Sequence, residues 1–385
     1  MLFRVGKSRT PAIPERVSLA DSAGRVLAQD VAADRDTPAL SRSVRDGFAL
    51  RSCDAPGELR VVGEVRAGGR LETELKAGEA IEIMTGAPMP PGADSVVMVE
   101  RVTHANGSVR VEEPVERGQF VNPRGCEAAA GELVLRRGRR IDYASIAALA
   151  AFGRESVNVY RQPSVAIIAT GDEIVGVGEI PADHQIRNSN AYSLAAQVRR
   201  AGGEPLILPL APDTEEQTRG LLERGLTADL LLLSGGVSAG KYDFVKRALA
   251  KLGAEIYFDR VLMQPGQPVV FGCARGKFFF GLPGNPGSTM VTFEVFARAA
   301  LELLEGCREV QLAMPYARLT EEFRHKPGLT RFLPAALSND GAEVTPLKWS
   351  GSGDIPALSR AGAYLVAEAD RPLYRRADFI RVLTK

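Results

Sequence analysis

Six short segments carry residue types suited to holding a polyanion and cleaving it. The run Leu233-Ser234-Gly235-Gly236-Val237-Ser238-Ala239-Gly240-Lys241-Tyr242-Asp243 combines glycines with two serines, a lysine and a carboxylate. Paired glycines let backbone N–H groups approach a ligand, and a helix start behind them favours negative charge. Its Gly235-x-x-x-x-Gly240-Lys241 core approaches a nucleotide P-loop, but Tyr242 stands where a Mg²⁺-binding Ser or Thr belongs. Gly281-Leu282-Pro283-Gly284-Asn285-Pro286-Gly287-Ser288 reads as a second helix start, with Asn285 at the N-cap and Pro286 at the first helical position. Ala169-Thr170-Gly171-Asp172-Glu173 offers adjacent carboxylates. Thr170-x-x-Glu173 fits a helix capping box, yet the residues that follow make a poor helix. The segment therefore reads as a strand-end loop whose carboxylates could orient a ribose hydroxyl or a metal-bound water. Met263-Gln264-Pro265-Gly266-Gln267-Pro268 is a rigid turn. Ser43-Val44-Arg45-Asp46-Gly47-Phe48-Ala49 and Ile83-Met84-Thr85-Gly86-Ala87-Pro88-Met89-Pro90 set Asp46 and Thr85 in tight glycine turns.

These segments need elements to hold them. From residue 163 strands and helices alternate: strands at 163–169, 205–210, 229–233, 254–258 and two within 268–282, and helices at 188–201, 213–226 (Asp213 as cap), 241–252 and 286–304. Such alternation predicts βαβ units and a doubly wound parallel sheet, whose ligands sit beyond the carboxyl ends of the strands. Residues 58–120 hold short β-rich runs between Gly, Pro, Asp and Asn clusters, which predicts a small β domain. Residues 14–34 read as helical and then extended, 37–50 as a loop, 141–152 as an Ala-rich helix, and 308–385 as a β-rich tail with strands at 310–312, 317–319, 332–337, 363–366 and 379–383.

Composition narrows the class. The chain has 385 residues, and 48 Lys and Arg face 47 Asp and Glu, so it lacks the basic excess of a general nucleic-acid binder. Its apolar runs are strand-sized, which predicts no membrane span. The four scattered cysteines and the charged, weakly apolar N-terminus predict a reducing, cytoplasmic setting. Glycine (39) and proline (24) run above average and concentrate in the segments above. His104, His184 and His325 are isolated, and Arg136-Arg137-Gly138-Arg139-Arg140 reads as a solvated basic turn open to a partner or anion.

Taken in order, DGFA (46–49), MTGAPMPPGAD (84–94), TGDEI (170–174), SGGVSAGKYDF (234–244), PGQP (265–268), GLPGNP (281–286) and GSGDI (351–355) closely resemble the molybdopterin molybdenumtransferase family, MoeA and the equivalent domain of gephyrin. The resemblance spans nearly the whole chain. It implies a multidomain α/β fold: an elongated linking and dimerisation domain (1–28 and 133–162), a small β-rich domain (29–132), a doubly wound, MogA-like molybdopterin-binding domain (163–307) and a C-terminal β domain (308–385). It implies a homodimer in which the small β domain of one subunit closes the pterin cleft of the other. It further implies Mg²⁺-dependent hydrolysis of adenylylated molybdopterin, release of AMP and insertion of molybdate, and the molybdopterin adenylyltransferase as a partner.

By the same resemblance Asp46, Thr85, Glu173, Asp213 and Asp243 are the catalytic candidates, with Asp243 and Glu173 on the metal. Ser234, Gly235, Gly236 and Ser238 cradle the pterin or its phosphate. Pro283, Gly284, Asn285 and Ser288 flank the oxyanion, and Gln264, Pro265, Gln267 and Pro286 complete the cofactor-binding set. Family members usually carry Lys at the positions of Gln264 and, often, Gln267. Loss of that charge weakens oxyanion binding unless Arg331 or Lys241 supplies it. A divergent pterin carrier or scaffold without metal insertion, or a tungstate-inserting variant, are the alternative readings.

Overall fold

The structure is a computed structural model that describes residues 1–8, 12–69, 74–211, 215–236, 244–310 and 312–385. Among these it builds three six-stranded sheets and five two-stranded ones. No helix of the described residues is long and apolar enough to cross a membrane.

The sheet that carries most of the candidate loops has the strand order Glu204–Ile207, Ser164–Ala169, Leu230–Ser234, Lys277–Leu282, Val270–Ala274, Glu255–Phe258. Its first four strands are parallel. The fifth, Val270–Ala274, runs antiparallel to both of its neighbours, so the otherwise parallel sheet is mixed at this edge. The cause is local. Arg275 and Gly276 both have positive φ (48° and 77°), and a two-residue loop of that kind can only join antiparallel neighbours.

Side chains alternate between two cores. Val165, Ile167, Leu230 and Leu232 face Leu194 and Val198 of helix Ser189–Arg200. Ala166, Ile168, Leu231 and Leu233 face Leu222, Val245 and Leu249 of the helices on the other side. Burial on both faces explains why Leu230–Ser234 reads as a continuous apolar run rather than an alternating one. Val5 of the N-terminal helix Leu2–Ser8 is also buried in the first of these cores.

A long helix follows the last central strand. It runs as Pro286–Thr292, a π-helical stretch Phe293–Ala297 and Arg298–Glu305, and stops at Gly306 with φ 104°. Helix 213–226 of the sequence reading is observed as Glu215–Gly225, and its proposed cap Asp213 lies outside the described residues.

The small β sheet has the order Ser95–Met98, Gly47–Leu50, Glu79–Ile83, Gly57–Val65, Ser108–Val111, Val102–Ala105. Gly47–Leu50, expected as part of a loop, is instead a fully buried inner strand. Residues 14–34 do not open as a helix. Pro14–Ser18 pairs antiparallel with Ser156–Tyr160, and Val31–Ala32 with Leu133–Leu135, so two distant stretches of chain form one connector. Helix Tyr143–Ala151 is capped by Asp142, which accepts from the Ser145 N–H.

The tail closes into a barrel. Strands Tyr316–Leu319, Phe379–Thr384, Ala363–Ala367, Thr330–Leu337 and Glu343–Pro346 pair in a ring, and Met263–Gln264 adds to it alongside Thr330–Arg331. Residues 310 and 312 are not in a strand. Met263, Val291, Phe332, Leu358 and Tyr364 form one buried cluster that fixes the barrel against the long helix.

Candidate active site

Register brings three loops to one sheet edge. Ala169 lies beside Ser234, and Ser234 beside Leu282, so the loops that begin at Thr170, Gly235 and Pro283 leave adjacent strand ends. The Gly235 N–H donates to the Leu282 carbonyl at 3.0 Å, tying two of them. Gly235 and Gly236 have φ of 88° and 65°. A Cβ on Gly235 would lie 2.6 Å from the Thr170 carbonyl oxygen, and one on Gly236 2.6 Å from Thr170 Oγ1. Only glycine accepts that backbone at that spacing. Val237 to Asp243 follow outside the described residues, and with them Ser238 and Asp243.

A side chain that sequence reasoning did not single out holds the edge together. Asn190 Nδ2 donates to Ser234 Oγ at 2.8 Å and to the Gly284 carbonyl at 2.6 Å. Its Oδ1 and the nearby Thr170 Oγ1 are buried without a partner among the described residues. A signal was present. In Asn188-Ser189-Asn190 the first asparagine suffices as cap, accepting from the Ala191 N–H, so the second is a poor helix residue in need of another role.

The long helix starts at Asn285 as expected, but the Asn285 side chain makes no capping bond. The donors of this turn are partly committed. The Gly287 N–H donates to the Ser352 carbonyl of the barrel loop at 2.7 Å, and Pro286 has no N–H. Gly236 and Gly284, both exposed, have N–H groups that make no hydrogen bond among the described residues. Together with the exposed Asn285 amide they make an open donor set on two of these loops. Pro283 and Ser288 are buried, and Thr289 Oγ1 donates to the Pro283 carbonyl at 2.5 Å, which fixes the turn.

Glu173 is exposed at the third loop, where a Cβ on Gly171 would fall on its carboxylate. No helix follows, so the capping-box reading fails; residues 174–175 form a short strand paired with 186–187. Gln264 is exposed, joined to Pro265 by a cis peptide, and lies beside Arg331 in the parallel register of the barrel. Pro265 is buried and Gln267 half-buried. Arg331 has a buried Nε with no partner, and no carboxylate pairs with its guanidinium among the described residues.

Asp46 and Thr85 meet elsewhere. Gly47 opposes Ile83 in antiparallel register, so the residues just outside those positions face each other. Asp46 Oδ1 accepts from the Thr85 N–H at 2.6 Å and from Thr85 Oγ1 at 2.8 Å. The backbone bond first, and the side-chain bond second, hold this exposed carboxyl below the ordinary carboxylate range. Among the described residues no hydrogen bond or ion pair joins residues 29–132 to residues 163–307.

Three matches to family models cover the chain in sequence: "MoeA N-terminal region (domain I and II)" at residues 4–153, "Probable molybdopterin binding domain" at 166–303 and "MoeA C-terminal region (domain IV)" at 316–383. A molybdopterin molybdenumtransferase of Staphylococcus aureus (strain MRSA252) is 34% identical over 370 residues, covering 94% of this chain and 88% of its own. That of Staphylococcus epidermidis (strain ATCC 12228) is 31% identical over 390 residues, covering 99% and 93%. Among solved structures, the molybdopterin biosynthesis moeA protein of Pyrococcus horikoshii OT3 superposes with a TM-score of 0.82 at 29% identity over 100% of this chain and 98% of that one.

Proposed function

The chain belongs to the MoeA family of molybdopterin molybdenumtransferases, and from that premise we propose that it inserts molybdate into adenylylated molybdopterin with release of AMP. One observation carries the reading. Three loops leave one sheet edge, two of them carrying open donors and clasped by Asn190, and the barrel adds an unpaired arginine. A polyanionic ligand needs such donors, and the N–H groups of Gly236 and Gly284 with the Asn285 amide supply them. Gly235 and Gly287 have structural roles instead, since their N–H groups are bonded within the chain.

Mg²⁺ fits this donor set. Among the described residues no cluster of three or more acidic, His or Cys side chains could cage a metal. Mg²⁺ does not require one, because it commonly uses one or two carboxylates plus waters and substrate phosphates. The Glu173 carboxylate accepts no hydrogen bond among the described residues, although its backbone carbonyl accepts from the Ile186 N–H at 2.7 Å, and we assign this carboxylate with Asp243 to the metal. The ion would neutralise the phosphoanhydride as it is cleaved. Asp213 completes the proposed acidic set. Asp46, held ionised by Thr85, enters from the small β domain of a second subunit. The chain thus works as a homodimer, soluble in the cytoplasm, and receives its pterin from the molybdopterin adenylyltransferase. Arg331 supplies the charge that Gln264 and Gln267 lack.

The test is turnover with adenylylated molybdopterin, Mg²⁺ and molybdate, following AMP. Wild type is expected to release AMP and Asp243→Ala is not. Pterin binding with no AMP would favour a carrier instead. Arg331→Gln should raise the molybdate concentration for half-maximal insertion by a factor of roughly five, the difference between a charged and a neutral hydrogen bond. Gln264→Lys should lower it.

A further inference from the structure

A basic cleft lies where the arginine-rich turn meets the C-terminal end of the long helix, the end opposite these loops. A cleft of about 660 Å³ is lined by six arginines (136, 137, 139, 140, 298 and 308) and two glutamates (302 and 309). In a chain of net charge +1 that is a local excess of positive charge. Its volume lies within the roughly 300–1,000 Å³ range of small-molecule sites.

The walls are fixed. Gly138, at φ 83°, donates its N–H to the Leu27 carbonyl at 2.7 Å and accepts from the Arg308 N–H at 3.0 Å. A Cβ on Gly138 would lie 2.8 Å from Arg308 Cβ, so the turn abuts the chain leaving the helix. Three arginines already have partners. Arg140 donates to the buried Glu305 at 2.6 Å, Arg298 to Glu302, and Arg139 lies 3.4 Å from Asp142. No carboxylate pairs with the guanidinium of Arg136, Arg137 or Arg308 among the described residues, although the Arg137 backbone N–H donates to Asp30 Oδ1 at 2.8 Å. Burial pushes the Cys307 thiol up to about 11, so it adds no negative charge at neutral pH. Glu309 opposes an anion but is outnumbered by three unpaired guanidiniums.

We infer that this cleft binds a diphosphate group, inorganic or carried by a nucleoside. Guanidinium forks match phosphate oxygens bidentately, and three unpaired arginines on two facing segments suit a ligand with two adjacent phosphates better than a single small anion. The ligand would bridge the connector turn, the long helix and the start of the barrel segment.

The experiment is calorimetric titration of the full chain at fixed ionic strength with inorganic diphosphate, ADP and sulfate. In addition to any binding at the loops, one site per chain that the arginine and Glu309 variants below alter is expected, with diphosphate tighter there than sulfate by on the order of tenfold. ADP tighter than inorganic diphosphate would identify a nucleoside ligand, and equal affinity the diphosphate alone. The double variant Arg137→Gln, Arg308→Gln should weaken diphosphate by on the order of tenfold or more. Glu309→Gln should tighten it, a gain that misfolding cannot produce. No saturable binding, equal affinity for sulfate, undiminished affinity in the double variant or no response to Glu309→Gln would overturn the assignment.

Discussion

Asp46 and Thr85 show how a residue pair gains chemistry that neither has alone. They are 39 positions apart and meet because two strands pair, so the sequence motifs flag both residues but not their bond. With its titration held below the ordinary range, Asp46 stays ionised throughout the neutral region. The contribution of its bonds is complete above the ordinary carboxylate pKa and is lost as acid protonates the group. Thr85→Val removes the hydroxyl and keeps the backbone donor. The Asp46 carboxyl should then titrate part of the way back toward the ordinary value, read from its side-chain carbon signal by NMR; an unchanged titration would remove Thr85 Oγ1 from this role. Other residues were legible only in part. Asn285 was expected to cap the helix with its side chain; instead its amide is open to solvent at the loop edge.

At the scale of elements, Asn190 decides whether two loops act as one surface. Asn190→Ala leaves Ser234 Oγ and the Gly284 carbonyl without their donor, a cost of roughly 1–3 kcal/mol by analogy with other buried unsatisfied groups. Chemical denaturation should show that loss, and pterin affinity should fall with it; stability and affinity both at wild-type level would dismiss the clasp. The alternation of strands and helices after residue 163 was readable because each strand is apolar and bounded by turn residues. Gly47–Leu50 was not, since four residues between turn-rich stretches carry too short a pattern to separate strand from loop. The antiparallel edge hangs on a two-residue turn at Arg275 and Gly276, a short-range signal carried by only two residues. Barrel closure could not be read, because register between strands as distant as 330–337 and 363–367 is set by side-chain packing across the sheet.

For the whole molecule, the property that most constrains the account is that, among the described residues, no hydrogen bond or ion pair ties residues 29–132, which carry the Asp46–Thr85 pair, to residues 163–307, which carry the clasped loops. A site completed across a dimer makes a numerical claim. Mixing Asp46→Asn and Asp243→Asn chains places half the protein in heterodimers, and one of the two sites in each is then intact. Two inactive variants should together recover about a quarter of wild-type turnover, whereas a site built within one chain would recover none. The central claim is metal transfer itself, and its most direct measurement uses a molybdenum enzyme stripped of cofactor. The chain is incubated with adenylylated molybdopterin, Mg²⁺ and molybdate, the stripped enzyme is added, and its activity is followed. The account predicts activity that requires both the chain and molybdate. Equal recovery without the chain, or pterin that stays bound while the stripped enzyme remains inactive, would contradict it.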